Sequence, residues 1–295
     1  MTTWLGDPTL AHLRDVAEWP DAGERYEVTG RLGRGGMAVV YAARDRLLDR
    51  DVAIKVVDAF GDAARPSRHD ESKILARLEH PGIVPVHDSG TLPDGRAFYV
   101  MKLVRGTSLD VALQRQSALG ERLDLFVRIC DAVSFAHARG IVHRDLKPAN
   151  VMCGEFGEVL VMDWGVAKLL NRDDGTVAVV GTAGYMPPEQ AAADQTVDHR
   201  ADVFALGVIL GAMLAEPAPR ALRAVAMKAR ADRAENRYAT VAALARDIGA
   251  FRDGQPVTAY RESLPERLGR VYTRYRLPIV LVLTYMVLRT ILLMW

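Results

Sequence analysis

The sequence contains very little cysteine. Its 295 residues include two cysteines, Cys130 and Cys153, and their spacing does not match a pair of metal ligands. Cys130 lies in an apolar helical pattern and Cys153 in a strand-like one. A disulfide framework is therefore excluded, and we expect two reduced, buried thiols in a cytosolic domain.

An excess of charge of one sign is also missing. Lysines and arginines number 38, aspartates and glutamates 37, and the formal net charge is +1. No overall field favours a nucleic acid as a partner. There are no internal repeats, and no apolar run lies near the N-terminus, so we expect no cleaved signal peptide.

What is present is a globular composition. Hydrophobic residues make up 49% and charged residues 25% of the chain. This composition can bury a core, and the length suits one two-lobed domain or two small ones.

The most informative stretch, residues 143–150, reads His-Arg-Asp-Leu-Lys-Pro-Ala-Asn. It brings together a carboxylate (Asp145), an ammonium (Lys147) and a carboxamide (Asn150) on a segment in which proline disfavours helix. The carboxylate can accept a proton from a hydroxyl, and the ammonium can neutralise a phosphoryl group. The carboxamide oxygen is a hard ligand that suits Mg²⁺.

A second motif, Asp163-Trp164-Gly165, follows the apolar run 159–162. Alone it is weak evidence, but the order of the two motifs is specific, because a catalytic loop and a metal-binding motif must face one ATP. Over residues 26–260 the sequence resembles the eukaryotic-type (Hanks-type) Ser/Thr protein kinases, in their bacterial branch. The resemblance implies an α+β, bilobal protein-kinase fold, with a small β-rich N-lobe that carries helix C and a larger, mostly α-helical C-lobe.

A glycine-rich segment, residues 33–41, precedes the strand pattern Val-Ala-Ile-Lys at 52–55. Glycines let backbone N–H groups approach phosphate oxygens closely. A glycine-rich turn alone is more often a simple hairpin, but a following strand with Lys55 among apolar residues matches the kinase glycine loop and its phosphate-binding lysine. Ala38 replaces the family's third glycine, and we expect little effect on ATP binding because alanine is small.

An amphipathic helix is predicted over residues 67–79, with Glu71 on its apolar stripe. A carboxylate on a core-facing stripe needs a partner. Lys55 is the natural one, unless Glu71 only reaches solvent at the edge of the stripe. Strands are predicted over 83–89 and 97–103, joined by a Pro-Asp-Gly turn.

The resemblance assigns the ATP-binding residues to the glycine loop, the lysine strand and a hinge after the gatekeeper Met101, with the Lys102 side chain directed to solvent. They are Leu32, Gly33, Arg34, Gly35, Gly36, Met37, Ala38, Val39, Val40, Ala53, Lys55, Met101, Lys102 and Val104.

The resemblance also implies a mechanism with ATP and Mg²⁺, or alternatively Mn²⁺. Lys55, held by Glu71, would bind the α- and β-phosphates, while Asn150 and Asp163 would hold the metal. Asp145 would take the proton of a protein Ser or Thr hydroxyl. Lys147 would stabilise the γ-phosphoryl group.

An activation segment would run over residues 163–189, with Thr176 and Thr182 as candidate phosphorylation sites. It ends in Pro-Pro-Glu, where the family usually has Ala-Pro-Glu or Ser-Pro-Glu. The resemblance gives four residues structural roles: Arg144 receives an activation-segment phosphate, Arg237 pairs with Glu189, and Asp202 holds the backbone of the catalytic loop. The histidines His137, His143 and His199 are interpreted as structural or surface residues.

One departure from the family lies after helix F, predicted over 201–214. A short proline-containing link leads directly to the next helical pattern, 222–228, so helix G is absent. We expect the uncovered surface to bind a partner or a second copy of the chain. The residues that flank it are Leu210, Met213, Leu214, Leu222 and Val225.

The end of the chain differs in character. Residues 259–276 form a basic juxtamembrane segment, and 277–295 are almost wholly apolar. They would span about 28 Å, close to a hydrocarbon core of about 30 Å, and Arg289 lies near the far end, where it can reach the interface. We expect a single-pass helix in the cell membrane with a cytoplasmic kinase domain. A packed or interfacial C-terminal helix is the alternative.

The expected organisation is therefore a leader (1–25), an N-lobe with hinge (26–104), a C-lobe (105–258), the basic segment and the anchor. Two rival functions stay open. A pseudokinase scaffold is motivated by the missing helix, although every catalytic position is filled. A small-molecule kinase is opposed by the Pro-Pro-Glu end, which is typical of kinases for proteins.

Overall fold

The computed structural model describes residues 19–35, 38–57, 78–115, 117–164, 168–169, 181–192 and 197–294. Several expectations fall outside these ranges. They are residues 1–18 of the leader, Gly36 and Met37, Glu71 with most of its predicted helix, and Thr176.

The N-terminal part is an antiparallel five-stranded sheet in the order β1-β2-β3-β5-β4. Its strands are β1 (Tyr26–Arg34), β2 (Ala38–Asp45), β3 (Arg50–Val57), β4 (Val86–Thr91) and β5 (Ala97–Lys102). The predicted strand 83–89 starts later, because Ile83 instead forms an isolated bridge to Val161 in the helical part. The predicted turn between β4 and β5 is present, with Gly95 at φ +83°.

Strand β3 directs side chains to two different cores. Successive residues of a strand face opposite sides. Val52, Ile54 and Val56 lie in the apolar cluster on one face of the sheet. Ala53 faces the other side, in the large cluster that continues into the helical part. This alternation also directs Lys55 towards the cleft between the two parts.

The described end of the leader packs on the sheet. Trp19 and Ala22 lie against its apolar cluster. Arg25 forms ion pairs with the buried carboxylate of Asp45, at 3.0 Å, and with Asp88, at 3.0 Å. One guanidinium thus connects the start of β1 to the end of β2 and to β4.

The C-terminal part is mostly helical, so the molecule has the expected two lobes. Its helices are α1 (Leu109–Ala112), α2 (Leu119–Ala138), α3 (Pro188–Ala191), α4 (Arg200–Met213), α5 (Arg220–Ala229), α6 (Val241–Arg252) and α7 (Leu264–Met294). Two small sheets accompany them, β6 (Gly106–Ser108) with β8 (Val151–Gly154) and β9 (Val159–Val161), and β7 (Ile141–Val142) with β10 (Lys168–Leu169).

Helix α2 is a long regular element of the C-lobe, with 20 residues. Its apolar side chains recur at helical spacing, and Leu123, Phe126 and Val133 are fully buried. The helix ends because Gly140 adopts a left-handed conformation, φ +73°, and donates its backbone N–H to the His137 carbonyl, at 2.9 Å.

The expectation of an exposed surface after α4 is wrong. Residues 214–219 link α4 directly to α5, but Leu210, Met213, Leu222 and Val225 are all fully buried. They belong to the main core cluster, and Leu214 packs against it. Helix α5 fills the space itself by lying against α4.

Gly207 makes this close approach possible. A Cβ atom at Gly207 would lie 2.7 Å from the Cβ of Ala229 and 2.9 Å from the backbone nitrogen of Arg230. Both distances are shorter than a van der Waals contact. The two helices can therefore pack at this separation only because position 207 has no side chain.

Helix α7 has a break. The backbone of Tyr275 is not helical (φ −109°, ψ 18°), three residues before Pro278. Large apolar side chains of α7 are exposed, including Leu268, Leu281 and Leu292. Within the part of the chain that the structure describes, no helix meets the combined length and apolarity of a membrane span.

The packing of α4 on α5 can be tested with two glycines of one helix. We expect Gly207→Ala to lower the free energy of unfolding by about 1 to 3 kcal/mol, because the added methyl overpacks the interface. The matched control is Gly211→Ala, whose Cβ would have its nearest contact at 3.5 Å, with Arg230. It should be neutral or stabilising by up to about 1 kcal/mol. Urea unfolding of the three proteins measures both effects, and equal stabilities of the two variants would contradict the packing argument.

Candidate active site

The loop of residues 143–147 is held by one buried carboxylate, that of Asp202 at the start of α4. Its Oδ2 accepts the backbone N–H of His143 at 2.8 Å, and its Oδ1 accepts that of Arg144 at 2.9 Å. His137 Nε2 lies 2.7 Å from Oδ2. Burial would raise the pKa of Asp202, but the hydrogen bond and charge of His137 outweigh it, and the pKa is lowered. The carboxylate therefore stays ionised and fixes the loop.

Arg144 needs such support because its backbone is in the left-handed region, φ +69°. A side chain disfavours that conformation. The Arg144 carbonyl in turn accepts a hydrogen bond from Gln190 Nε2 of α3, at 2.8 Å. Sequence reasoning missed Gln190, since it belongs to no motif beyond its place after Glu189.

His143 connects the two motifs and is not placed as a base. It is fully buried. Its Nε2 lies 2.9 Å from the Met162 carbonyl and must donate, while its Nδ1 accepts the backbone N–H of Asp145 at 3.2 Å. The ring packs on buried Trp164, with centroids 4.6 Å apart. Both ring nitrogens are therefore engaged in positioning.

Asp145 lies at the centre of a compact polar cluster. Lys147 Nζ donates to its Oδ2 at 2.9 Å. Thr182 Oγ1 donates to its Oδ1 at 2.8 Å and accepts from Lys147 Nζ at 2.7 Å. The motif carboxylate and ammonium thus meet a hydroxyl that comes from a distant part of the chain.

Asn150 is oriented by the same residue. Its Nδ2 donates to the Asp145 carbonyl at 2.8 Å and lies 3.2 Å from Asp145 Oδ2. A turn of 3₁₀ helix, Pro148–Asn150, places it there. Because the nitrogen is used, the amide oxygen is the atom left to bind a cation.

Lys55 pairs with Asp163 across the cleft, Nζ donating to Oδ1. Burial opposes the charged form of Lys55, but the neighbouring Tyr99 and Asp163 outweigh it, and the pKa of Lys55 is raised. Burial would likewise raise the pKa of Asp163, yet the Lys55 ammonium keeps that pKa lowered. Both groups are therefore charged. The partner predicted from the sequence, Glu71, lies outside the described residues.

Two oxygen donors fit a magnesium ion here, the Asn150 amide and the Asp163 carboxylate. Asp163 has a left-handed backbone, φ +59°, as Arg144 does. Among the described residues no group of three or more His, Cys, Asp or Glu side chains could hold a metal. A set of one carboxylate and one amide nevertheless suits Mg²⁺, which keeps several waters and takes further oxygens from substrate phosphates.

The expected adenine pocket lies at the top of the main core. Ala53 and Met101 are buried in it, with Val40 and Val104 packed alongside. Leu32 is exposed at its rim. From the glycine loop, Gly33 and Arg34 pair with Val40 and Val39, and Gly35 N–H donates to the Ala38 carbonyl at 2.8 Å.

One backbone N–H of the predicted hinge already makes a hydrogen bond within the protein. The Lys102 backbone N–H donates to the Pro85 carbonyl at 3.1 Å. Its side chain is exposed and lies 3.6 Å from Glu158. The amides of the next two residues, up to Val104, are therefore the better donors for a base.

The end of the activation segment is fastened to the C-lobe. Arg237 makes a bidentate ion pair with Glu189, at 2.6 and 2.8 Å, and its side chain is fully buried. Gly181 has φ +141°, and a Cβ there would lie 2.8 Å from the Gln190 amide nitrogen. These contacts place Thr182 against Asp145.

Comparison with known proteins agrees with this geometry. The family model described as "Protein kinase domain" matches residues 26–248. The serine/threonine-protein kinase PknB of Mycolicibacterium smegmatis is 38% identical over 275 residues, which cover 79% of this chain and 44% of that protein. PknB of Mycobacterium tuberculosis is 37% identical over 294 residues, covering 85% of this chain and 45% of that protein.

A third relative is the probable serine/threonine-protein kinase SCO3848 of Streptomyces coelicolor. It is 37% identical over 285 residues, which cover 80% of this chain and 41% of that protein. The chain spans less than half the length of these relatives. With a matching family model over most of its length and a catalytic cluster of the expected composition, the chain belongs to the protein kinase family.

Proposed function

We propose that the chain is a Ser/Thr protein kinase, which transfers the γ-phosphoryl group of ATP to hydroxyls of proteins, its own included. One observation carries the proposal. Asp145 already accepts a hydrogen bond from a threonine hydroxyl, at 2.8 Å, with Lys147 beside both. A substrate hydroxyl that donates to the same carboxylate would be oriented for attack and would lose its proton to it.

The other residues supply positioning and charge. Lys147 would stabilise the transferring group, and Lys55 would bind the α- and β-phosphates. Asn150 and Asp163 would hold Mg²⁺, which neutralises charge on the phosphates when bound. The Lys55–Asp163 ion pair gives each of these two charges a partner in the cleft, and in the complex Lys55 would pair with the phosphates and Asp163 with the cation.

A pseudokinase scaffold is the rival reading. Its motivation was the shortened link after α4, but that region is fully packed. Lys55, Asp145, Asn150 and Asp163 are all present and converge on the cleft. The fastened activation segment and the names of the relatives favour protein substrates over a small molecule.

We further propose that the link 214–219 takes the place of helix G. Burial of its flanking residues removes the original reason to expect a second copy of the chain at this point. Nucleotide binding should be unaffected, since the link is remote from Lys55. Substrate docking would then depend on other surfaces of the C-lobe.

We also propose that residues 277–294 attach the kinase to the cell membrane, with the catalytic domain in the cytoplasm. The support is the exposure of their large apolar side chains, such as Leu281, Leu288 and Leu292, and the arginines that precede them. Exposed apolar area of this extent is costly in water and favourable in lipid.

Asp163→Asn should abolish phosphoryl transfer while the protein stays folded, because it removes the one carboxylate of the metal site. The matched control is Asp94→Asn, which also removes a carboxylate paired with a basic side chain, here Arg96, but in the exposed β4–β5 turn. Transfer from labelled ATP with Mg²⁺ measures the activity, and circular dichroism checks the fold. Retention of more than about a tenth of the wild-type turnover by Asp163→Asn would refute the assignment.

Autophosphorylation should occur on Thr176 and not on Thr182. The hydroxyl of Thr182 is shared between Asp145 and Lys147 and is needed there. Mass spectrometry of the wild type and of Asp145→Asn, both made in a host without related kinases, would locate the phosphate. If active protein carries phosphate on neither threonine, regulation by this route is wrong.

A chain that ends at Arg276 should be released from membranes by high salt without detergent, and it should be as active as the full chain. The two core clusters consist of residues between Trp19 and Tyr260, so the shortened chain keeps its core. Fractionation of cells that express each chain, followed by the ATP assay, checks both statements. Full-length protein in the soluble fraction would contradict the anchor.

A further inference from the structure

The first half of α7, residues 264–274, differs in chemistry from the second half. We propose that it is an interfacial helix that binds the headgroups of anionic phospholipids and lies along the membrane surface. The proposal deepens the membrane attachment proposed above and rests on it for its setting. The evidence comes from the break in the helix, the pattern of its exposed side chains and the charges around them.

The break separates two segments with different surfaces. Proline has no N–H, and its ring collides with the carbonyl four residues earlier, which for Pro278 is that of Arg274. The non-helical backbone at Tyr275 lies directly after that carbonyl. The first segment can therefore point in a different direction from the apolar segment that follows.

The first segment has a one-sided apolar face. Leu264, Leu268, Tyr272 and Tyr275 recur at intervals of four, four and three residues, which places them on one side of a helix. All four side chains are exposed. Tyrosine rings favour the boundary between headgroups and acyl chains.

The sequence around this face is rich in positive charge. Arg261 and Arg267 are exposed, and Arg270, Arg274 and Arg276 follow in the sequence. The acids between Arg261 and Arg276 are Glu262 and Glu266, and Glu266 is turned towards the protein. An apolar stripe in an arginine-rich segment is the pattern of a helix that binds an anionic leaflet.

Contacts of Glu266 hold this helix to the C-lobe. Its carboxylate accepts hydrogen bonds from Ser263 N–H, at 2.9 Å, and from the Ser263 hydroxyl, at 2.8 Å, at the start of the helix. Tyr260 donates to it at 3.0 Å, and Arg220 of α5 lies 3.3 Å away. The direction of the segment is thus set by the folded domain.

The charges also decide between a lipid surface and a second copy of the chain. Two copies that paired through this face would bring together two segments of the same net positive charge, and the like charges would repel. An anionic leaflet supplies the opposite charge over the whole length of the segment. We therefore assign the face to lipid.

The test uses the chain that ends at Arg276, which keeps both core clusters. Its sedimentation is measured with vesicles of phosphatidylcholine alone and with vesicles of equal parts phosphatidylcholine and phosphatidylglycerol. We expect binding to the second only, weakening as salt is added. Arg267→Gln should weaken binding to the vesicles that contain phosphatidylglycerol about fivefold.

Leu268→Asp should abolish binding. The matched control is Leu47→Asp in the β2–β3 turn, since Leu47 is 72% and Leu268 69% exposed. The control should bind as the parent does. No binding of the parent to phosphatidylglycerol, equal binding to both vesicles, or equal effects of the two aspartates would overturn the proposal.

The lipid proposal would also be overturned if the chain that ends at Arg276 were a dimer that binds no vesicles and became a monomer with Leu268→Asp. The face would then bind a second copy of the chain. The full-length chain, mixed with phosphatidylcholine vesicles, reports on the anchor separately. If the full-length chain sediments but the shortened chain binds neither vesicle, the anchor stands and the interfacial helix is wrong. If the full-length chain stays soluble while the shortened chain binds phosphatidylglycerol, the interfacial helix stands and the anchor is wrong.

Discussion

The catalytic geometry depends on the buried carboxylate of Asp202. It accepts two consecutive backbone N–H groups of the loop, from His143 and Arg144, one of which belongs to a residue with a left-handed backbone. Each buried N–H left without a partner would cost about 1 to 3 kcal/mol. Without Asp202 the loop would relax, and Asp145 would lose its position relative to Lys147 and Thr182. Phosphoryl transfer would therefore depend on Asp202, a residue that would contact neither ATP nor the protein substrate.

Much of the site could be predicted from the sequence, because its chemistry is concentrated in short motifs. The stretch from His143 to Asn150 contains the proton acceptor, the ammonium and the amide close together in sequence, so no long-range contact had to be inferred to bring them together. Lys55 was recognisable because it is a single lysine among apolar residues of a strand after a glycine-rich segment, an order that matches the kinase family. The ion pair of Lys55 with Asp163 was not predicted, since the sequence indicated Glu71 as the partner of Lys55.

The rest depends on contacts between residues that are distant in the sequence. Gln190 supports the Arg144 carbonyl, and nothing in its neighbourhood indicates this role. The packing of α4 on α5 depends on Gly207, and a glycine within a helix does not reveal which neighbour approaches it. Comparison with longer kinases predicted an uncovered surface on α4 where helix G is absent. The short link instead places α5 directly against α4, which buries that surface.

The direct contact of α4 with α5 has a consequence for how the C-lobe forms. With only residues 214–219 between them, the two helices make a local helical hairpin, and Leu210 and Leu222 lie in the same core cluster although they are close in sequence. The entropy lost in closing a loop grows with its length, so this contact forms at low cost. A larger share of the core then consists of contacts between near neighbours in sequence, a topology associated with fast folding. The hairpin can thus assemble early. Asp202, at the start of α4, is then in place to accept the backbone N–H groups of the catalytic loop.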